Sequence, residues 1–403
     1  MTAPQSGLLG QVSAAHLVSH FHIMTVPALL PLLPTIMNVS FVDLGIALTV
    51  FNIVTAVVQA PLGYAVDRFG AMRLLKIGLA LGSISFALLI LQPTFWVLII
   101  AMVLAGVANG VYHPCDYALL SRGIAPDRMG RAFSIHTFAG FLGSALAPLI
   151  LMWLAIDLDI RAAFIVSAGL GLLVLLLLVI RAPPAAKAPP IRTHTNGKAT
   201  RSRLRMSALG AIPLLTLFFL LLNLSTGAIE KFSVAALVAG IDVPLPAANL
   251  ALTAFLFASA FGVLVGGVLA DRTERHGIVG ATVFALAAIL IVSVTLIPMA
   301  DIALIATLGS AGFLTGCIAP SRDMLVRAAA PAGTEGRVFG IVSTGFNLGG
   351  VIGPLLFGYL MDSGAAIGVL WASAGFMMAT TVIVLLQERL IRLSKKCANT
   401  VTT

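Results

Sequence analysis

Apolar residues run in long blocks separated by short polar breaks from one end of the chain to the other. The blocks do not alternate as barrel strands would, and they reach the length of about 18 residues or more that crosses a bilayer as a helix. Twelve spans follow, at 12–36, 44–66, 74–92, 95–121, 132–155, 162–181, 208–238, 246–270, 277–298, 302–327, 338–361 and 366–387. The pattern predicts an all-α integral membrane protein. Block 208–238 is too long for one upright crossing and is expected to tilt or break. Pro27, Pro31 and Pro34 should weaken the later part of the first span. Residues 182–206 carry Pro, Ala and basic residues without apolar periodicity and read as a cytoplasmic linker. They divide the chain into 1–181 and 207–403.

The two parts repeat each other. The stretch N-G-V-Y-H-P-C-D-Y-A-L-L-S-R-G-I-A-P-D-R-M-G-R at 109–131 is answered by T-G-C-I-A-P-S-R-D-M-L-V-R-A-A-A-P-A-G-T-E-G-R at 315–337. Pro114 matches Pro320, Arg122 matches Arg327, Gly130-Arg131 matches Gly336-Arg337, and Pro148 matches Pro354 in the following span. A repeat at half the chain length implies two like units, so the expected architecture is two pseudo-symmetric bundles of six helices.

Composition agrees: 59% of residues are hydrophobic, 10% are charged, and the mean hydropathy is +1.07. A net charge of +9 would suit a nucleic-acid partner, but its placement argues otherwise. Loops and the adjoining span ends on one side, with the C-terminal tail, hold 21 of the 24 Lys and Arg. Loops on the other side hold Arg161 beside Asp43, Asp157, Asp159, Asp242, Asp301 and Asp362. Basic residues mark the cytoplasmic side, which places both termini there and the chain in the inner (plasma) membrane. Cys115, Cys317 and Cys397 make no disulfide framework. No phosphate-binding loop, H-E-x-x-H or D-x-x-D is present, so no cofactor, resident metal or enzymatic activity is expected. A membrane enzyme and a non-transporting sensor are the readings from other classes.

The candidate chemistry is the set of ionisable residues inside spans, which in membrane proteins usually face the interior and mark a pathway. His16 and His20 are four apart on one helical face, and His113 and Asp116 are three apart. His113 with Asp116 is the expected protonation-sensitive pair, with His16, His20 and Arg322 around the same cavity and Asp323 beside Arg322. Glu230 and Lys231 have two readings. Lys231 snorkels to the outer surface, or Glu230 is a gate or coupling carboxylate.

The stretch G-Y-A-V-D-R-F-G-A-M-R at 63–73 resembles the loop signature G-x-x-x-D-R/K-x-G-R-R of the major facilitator superfamily. Gly63, Asp67, Arg68, Gly70 and Arg73 match, while Ala71 and Met72 depart. A second copy stands at Gly267, Asp271 and Arg272. By that resemblance these residues form a cytoplasmic gate, with Gly63 permitting close helix approach and Asp67 able to face a helix N-terminus. Gly143 and Pro148, with Gly349, Gly353 and Pro354, resemble the superfamily's G-x-x-x-G-P pattern and are read as packing and bending positions. His113-Pro114 resembles the H-P-E of the fosmidomycin-resistance-like branch, with the acid displaced to Asp116. The resemblance implies a secondary transporter working as a monomer by alternating access. Its expected partners are the lipid bilayer, a small organic solute and protons. Proton-coupled efflux is the first expectation, and uptake of a small organic anion the alternative.

Overall fold

The computed structural model describes residues 3–125, 128–180, 206–273, 275–329 and 335–400. Every regular element is a helix. The first crossing is α1 (Ala3–Leu29) followed by the single turn α2 (Leu33–Met37). The break between them falls among Pro27, Pro31 and Pro34, three prolines within eight residues that together withdraw the N–H groups of successive turns. The next five crossings are α3 (Phe41–Phe69), α4 (Ala71–Leu91), α5 (Phe95–Gly123), α6 (Met129–Asp157) and α7 (Ile160–Ile180). The second half holds α8 (Met206–Ile241), α9 (Leu245–Asp271), α10 (His276–Leu296), α11 (Asp301–Ala329), α12 (Glu335–Asp362) and α13 (Gly368–Thr400). Eleven of these helices are long and apolar enough to cross a membrane. The first crossing falls short because α1 carries Gln11, His16, His20 and His22. The α8 helix does not break: its 36 residues run continuously for about 54 Å, so it tilts or overhangs. The linker expected at 182–206 lies outside the described residues, apart from Met206.

The pairings of the first half recur in the second. The first span packs on the fifth (α1 on α6, α8 on α12), the second on the fourth (α3 on α5, α9 on α11) and the third on the sixth (α4 on α7, α10 on α13). Small residues set the close approaches, as expected where apolar burial drives no association between helices. A Cβ on Gly143 of α6 would fall on the Leu17 carbonyl of α1. Gly262 and Gly266 of α9 meet the backbone of α11 at Phe313 and Cys317, and Gly312 and Gly316 of α11 meet α9 at Phe255 and Ser259.

The face holding the start of α1 and the end of α7 is termed inner, after the charge pattern of the sequence. The two bundles join along α3–α12 and α6–α9. Among the described residues, four hydrogen bonds cross between them. Thr49 Oγ1 donates to Val351 O (2.9 Å), and Asn249 Nδ2 donates to Pro148 O (2.9 Å). The N–H groups of Phe41 and Val42 donate to the Asp362 carboxylate (2.9 and 2.7 Å). All four lie in the outer half, where Gly45 of α3 also rests against the Pro354 carbonyl. Pro148 and Pro354 therefore mark the two seams between bundles. The reading of Gly63 needs correction for this arrangement. A Cβ there, or on Gly267, would meet nothing within 4 Å. These glycines sit in the inner halves of α3 and α9. Gly70 is required locally. At φ +89° it ends α3, its N–H bonding Val66 O, and α4 begins at the next residue.

Candidate functional site

In the N-terminal bundle, α1, α5 and α6 bring ionisable side chains to one place. Gly140 and Gly143 leave the α6 surface bare, so the histidine-bearing face of α1 lies directly on it. A Cβ on Gly140 would come within 2.7 Å of the His16 ring and 3.0 Å of the His20 ring. His20 Nδ1 reaches Ser144 Oγ one turn further along α6 (3.1 Å). Asp116 enters from α5 and is fully buried, with His16 4% and His136 3% exposed. His16 Nδ1 lies 3.2 Å and His136 Nε2 3.6 Å from the same oxygen, Asp116 Oδ2. The His16 and His136 rings stack at 3.8 Å between centroids, and the His113 ring stands edge-on to His16 at 5.4 Å. A carboxyl group at zero exposure is tolerable only when paired or protonated, and these two imidazoles are the groups placed to meet it.

The structure thus brings His16, His20, His113 and Asp116 together, but the imidazole nitrogens nearest the acid are those of His16 and His136. His113 is half-buried, faces His16, and stacks loosely on Tyr117 at 6.4 Å. The sequence reading passed over His136, although it is the sole ionisable residue in F-S-I-H-T-F near the start of a span. The third histidine of α1 does separate work. His22 Nε2 meets the Ser167 carbonyl at 2.8 Å, and Thr25 meets the Ser167 hydroxyl at 3.1 Å, which tie α1 to α7.

The remaining pathway residues lie in the other bundle. The Arg322 guanidinium of α11 stands over the rings of Phe219 on α8 (5.1 Å) and Phe346 on α12 (5.4 Å). Those two rings are perpendicular to each other at 5.2 Å. Such a cation–π box orients the guanidinium between α8, α11 and α12. Glu230 and Lys231 on α8 are half-buried, and no hydrogen bond or ion pair satisfies either among the described residues. Lys231 Nζ lies 3.9 Å from where a Gly227 Cβ would stand, with Asn223 Oδ1 at 3.7 Å from the same point. It folds back along α8 rather than snorkelling to the outer surface. The side chains of Asp323 and Asp271 lie outside the described residues.

At the inner face, Arg122 Nη2 at the end of α5 approaches Asp67 Oδ1 at 3.4 Å, with side chains 46% and 75% exposed. Asp67 therefore has a partner in its own bundle. Arg68 lies over the Phe69 ring at 5.4 Å, and Arg73 and Arg272 are exposed.

The family profile described as Major Facilitator Superfamily matches residues 12–240 and 224–396. The fosmidomycin resistance protein of Escherichia coli (strain K12) is 26% identical over 291 residues, 70% of this chain and 69% of that protein. Probable anion transporter 6 of Oryza sativa subsp. japonica is 25% identical over 358 residues, 80% of each. Among solved structures, a bacterial homolog of the human lysosomal transporter Spinster, inward-facing and unoccupied, superposes with a TM-score of 0.74. It is 14% identical and covers 98% of both chains, which is a likeness of fold. The chain belongs to the Major Facilitator Superfamily and is a multi-pass secondary transporter, not an enzyme.

Proposed function

We propose that the protein exports a small organic compound from the cytoplasm across the inner (plasma) membrane, in exchange for protons and by rocking of its two bundles. The observation that carries this reading is the asymmetry of the seam. Among the described residues, the four hydrogen bonds that cross between bundles all lie in the outer halves, while a Cβ on Gly63 or Gly267 in the inner halves would meet nothing within 4 Å. A central site in this arrangement is reached from the inner face, which is where an exporter loads. Direction rests on the likeness to a fosmidomycin resistance protein, export being a direct way for a membrane transporter to confer resistance. Sidedness rests on the 21 of 24 basic residues at the inner face. Glu230 supports protons as the coupling ion. A half-buried carboxylate at membrane depth, beside the charge of Lys231, changes charge as water access changes during rocking.

Uptake of an organic anion is the second reading, favoured by Arg322 in its aromatic box and by the likeness to an anion transporter. A thermal-shift screen of purified protein against antibiotics, with fosmidomycin as first probe, and against organic anions selects a ligand. Proteoliposomes carrying that ligand then separate the modes. Glu230→Gln should keep ligand exchange and lose accumulation driven by a pH gradient. Wild-type gradient-driven accumulation in this variant would remove Glu230 from the mechanism, and accumulation driven towards the inner face would favour uptake.

A further inference from the structure

The His16–Asp116–His136 cluster has a geometry that its ion pairs do not explain. Three helices each supply one donor atom, and the three atoms lie within 4.8 Å of one another. Yet His16 Nδ1 and both oxygens of Asp116 are buried without a hydrogen-bond partner among the described residues. His16 Nδ1 closes on Asp116 Oδ2 at 3.2 Å without the alignment that a hydrogen bond needs, and His136 Nε2 stands at 3.6 Å, too far for one. In a tetrahedral site with metal–ligand bonds of about 2.0–2.1 Å, neighbouring ligand atoms stand about 3.3 Å apart. The two measured edges bracket that separation.

From this we infer that His16, Asp116 and His136 form a binding site for a divalent transition-metal ion of the zinc type, inside the N-terminal bundle. Two imidazoles and one carboxylate are the donor set of Zn²⁺, Co²⁺ and Ni²⁺; calcium and magnesium need oxygen-rich shells that these residues do not supply. The carboxylate offsets one charge of the ion, and an ion at this point gives the unpartnered His16 nitrogen and Asp116 oxygens a bond. His20 is engaged by Ser144, which leaves half-buried His113 as the next donor towards the fourth position. All of these groups belong to one bundle, so a bound ion cross-links α1, α5 and α6 and leaves the seams α3–α12 and α6–α9 free. The inference does not depend on the export reading, since it concerns equilibrium binding with no gradient and no organic solute.

The test uses the full-length protein without a polyhistidine tag, stripped with chelator and titrated with Co²⁺ in detergent. One equivalent should produce the strong visible ligand-field bands of four-coordinate Co²⁺, and Zn²⁺ should abolish them stoichiometrically. His136→Gln and His16→Gln should each weaken Co²⁺ binding by more than about 100-fold, beyond the 10–100-fold loss typical of outer-shell changes. His276→Gln, at the inner end of α10, should bind as wild type. X-ray absorption of the Zn²⁺-loaded wild type decides the matter even if a variant fails to fold. Two imidazoles with a nitrogen or oxygen shell support the site. A sulfur ligand, which buried Cys115 beside Asp116 would supply, overturns it. So does the absence of stoichiometric Co²⁺ bands, or bands indifferent to both histidine variants.

Discussion

Asp362 at the end of α12 is the sharpest handle on the balance between the two arrangements of the transporter. Its carboxylate accepts the N–H groups of Phe41 and Val42, the first two residues of α3, so one bundle caps a helix of the other. The α3 helix also has its own cap. Ser40 and Asp43 form a reciprocal capping box that remains if the bundles part. Removing Asp362 should therefore weaken the seam and not the helix. Loss of a capping side chain costs about 0.5–2 kcal/mol, and a carboxylate at an exposed helix N-terminus contributes about 0.3–1 kcal/mol. Asp362 is exposed, so about 1 kcal/mol is the reasonable figure, a roughly fivefold shift away from the outer-closed form. Asp362→Asn retains one acceptor oxygen without the charge and should shift the balance less than Asp362→Ala. Spin labels at Asp159 and Ile302, in the outer loop before α7 and at the outer end of α11, would report the opening by double electron–electron resonance. The Ala variant should enlarge the long-distance population about fivefold. Ser40→Ala should lower thermal stability without moving that population. An unchanged distance distribution in Asp362→Ala, or an equal shift in Ser40→Ala, refutes the reasoning.

Two further outcomes follow from the inner face. Gly63→Leu should melt no lower than wild type, since the position is open and a helical glycine is already about 1 kcal/mol less favourable than alanine. It should nonetheless arrest transport, because the inner halves of α3 and α12 can no longer close. Gly45→Leu, aimed at the Pro354 carbonyl, should instead cost about 1–3 kcal/mol of stability by overpacking. Normal transport by Gly63→Leu would end that account. Asp67→Asn removes an exposed pair worth at most about 1 kcal/mol. Folding and ligand affinity should therefore hold to within a few-fold while turnover falls, and lost affinity with intact turnover would show Asp67 to be a binding residue.

The spans were legible because a helix in lipid must satisfy its own backbone and carry apolar side chains all round, so the apolar blocks alone locate it. The repeat of Pro114 with Pro320 and Pro148 with Pro354 then placed the fourth and tenth, and the fifth and eleventh, crossings in register. What periodicity does not hold is which helix each face meets. His113 and Asp116 are neighbours along α5, yet residues three apart point about 60° from each other. The helices that arrive on the Asp116 side bring His16 and His136. Asp362 was visible as a charge in an outer loop, but its role depends on where α3 begins, 321 residues earlier. Gly63 shows a different limit. Its motif argues for close helix contact, and the structure leaves it bare. Both statements are physically consistent for a protein that rocks as proposed. A sequence has to serve the inner-closed and the inner-open arrangement alike, whereas one structure displays one of them. Glycines that already touch a carbonyl, such as Gly45, then belong to the arrangement on view. Those that touch nothing at the equivalent seams, Gly63 and Gly267, are the positions at which the other arrangement would make its contacts.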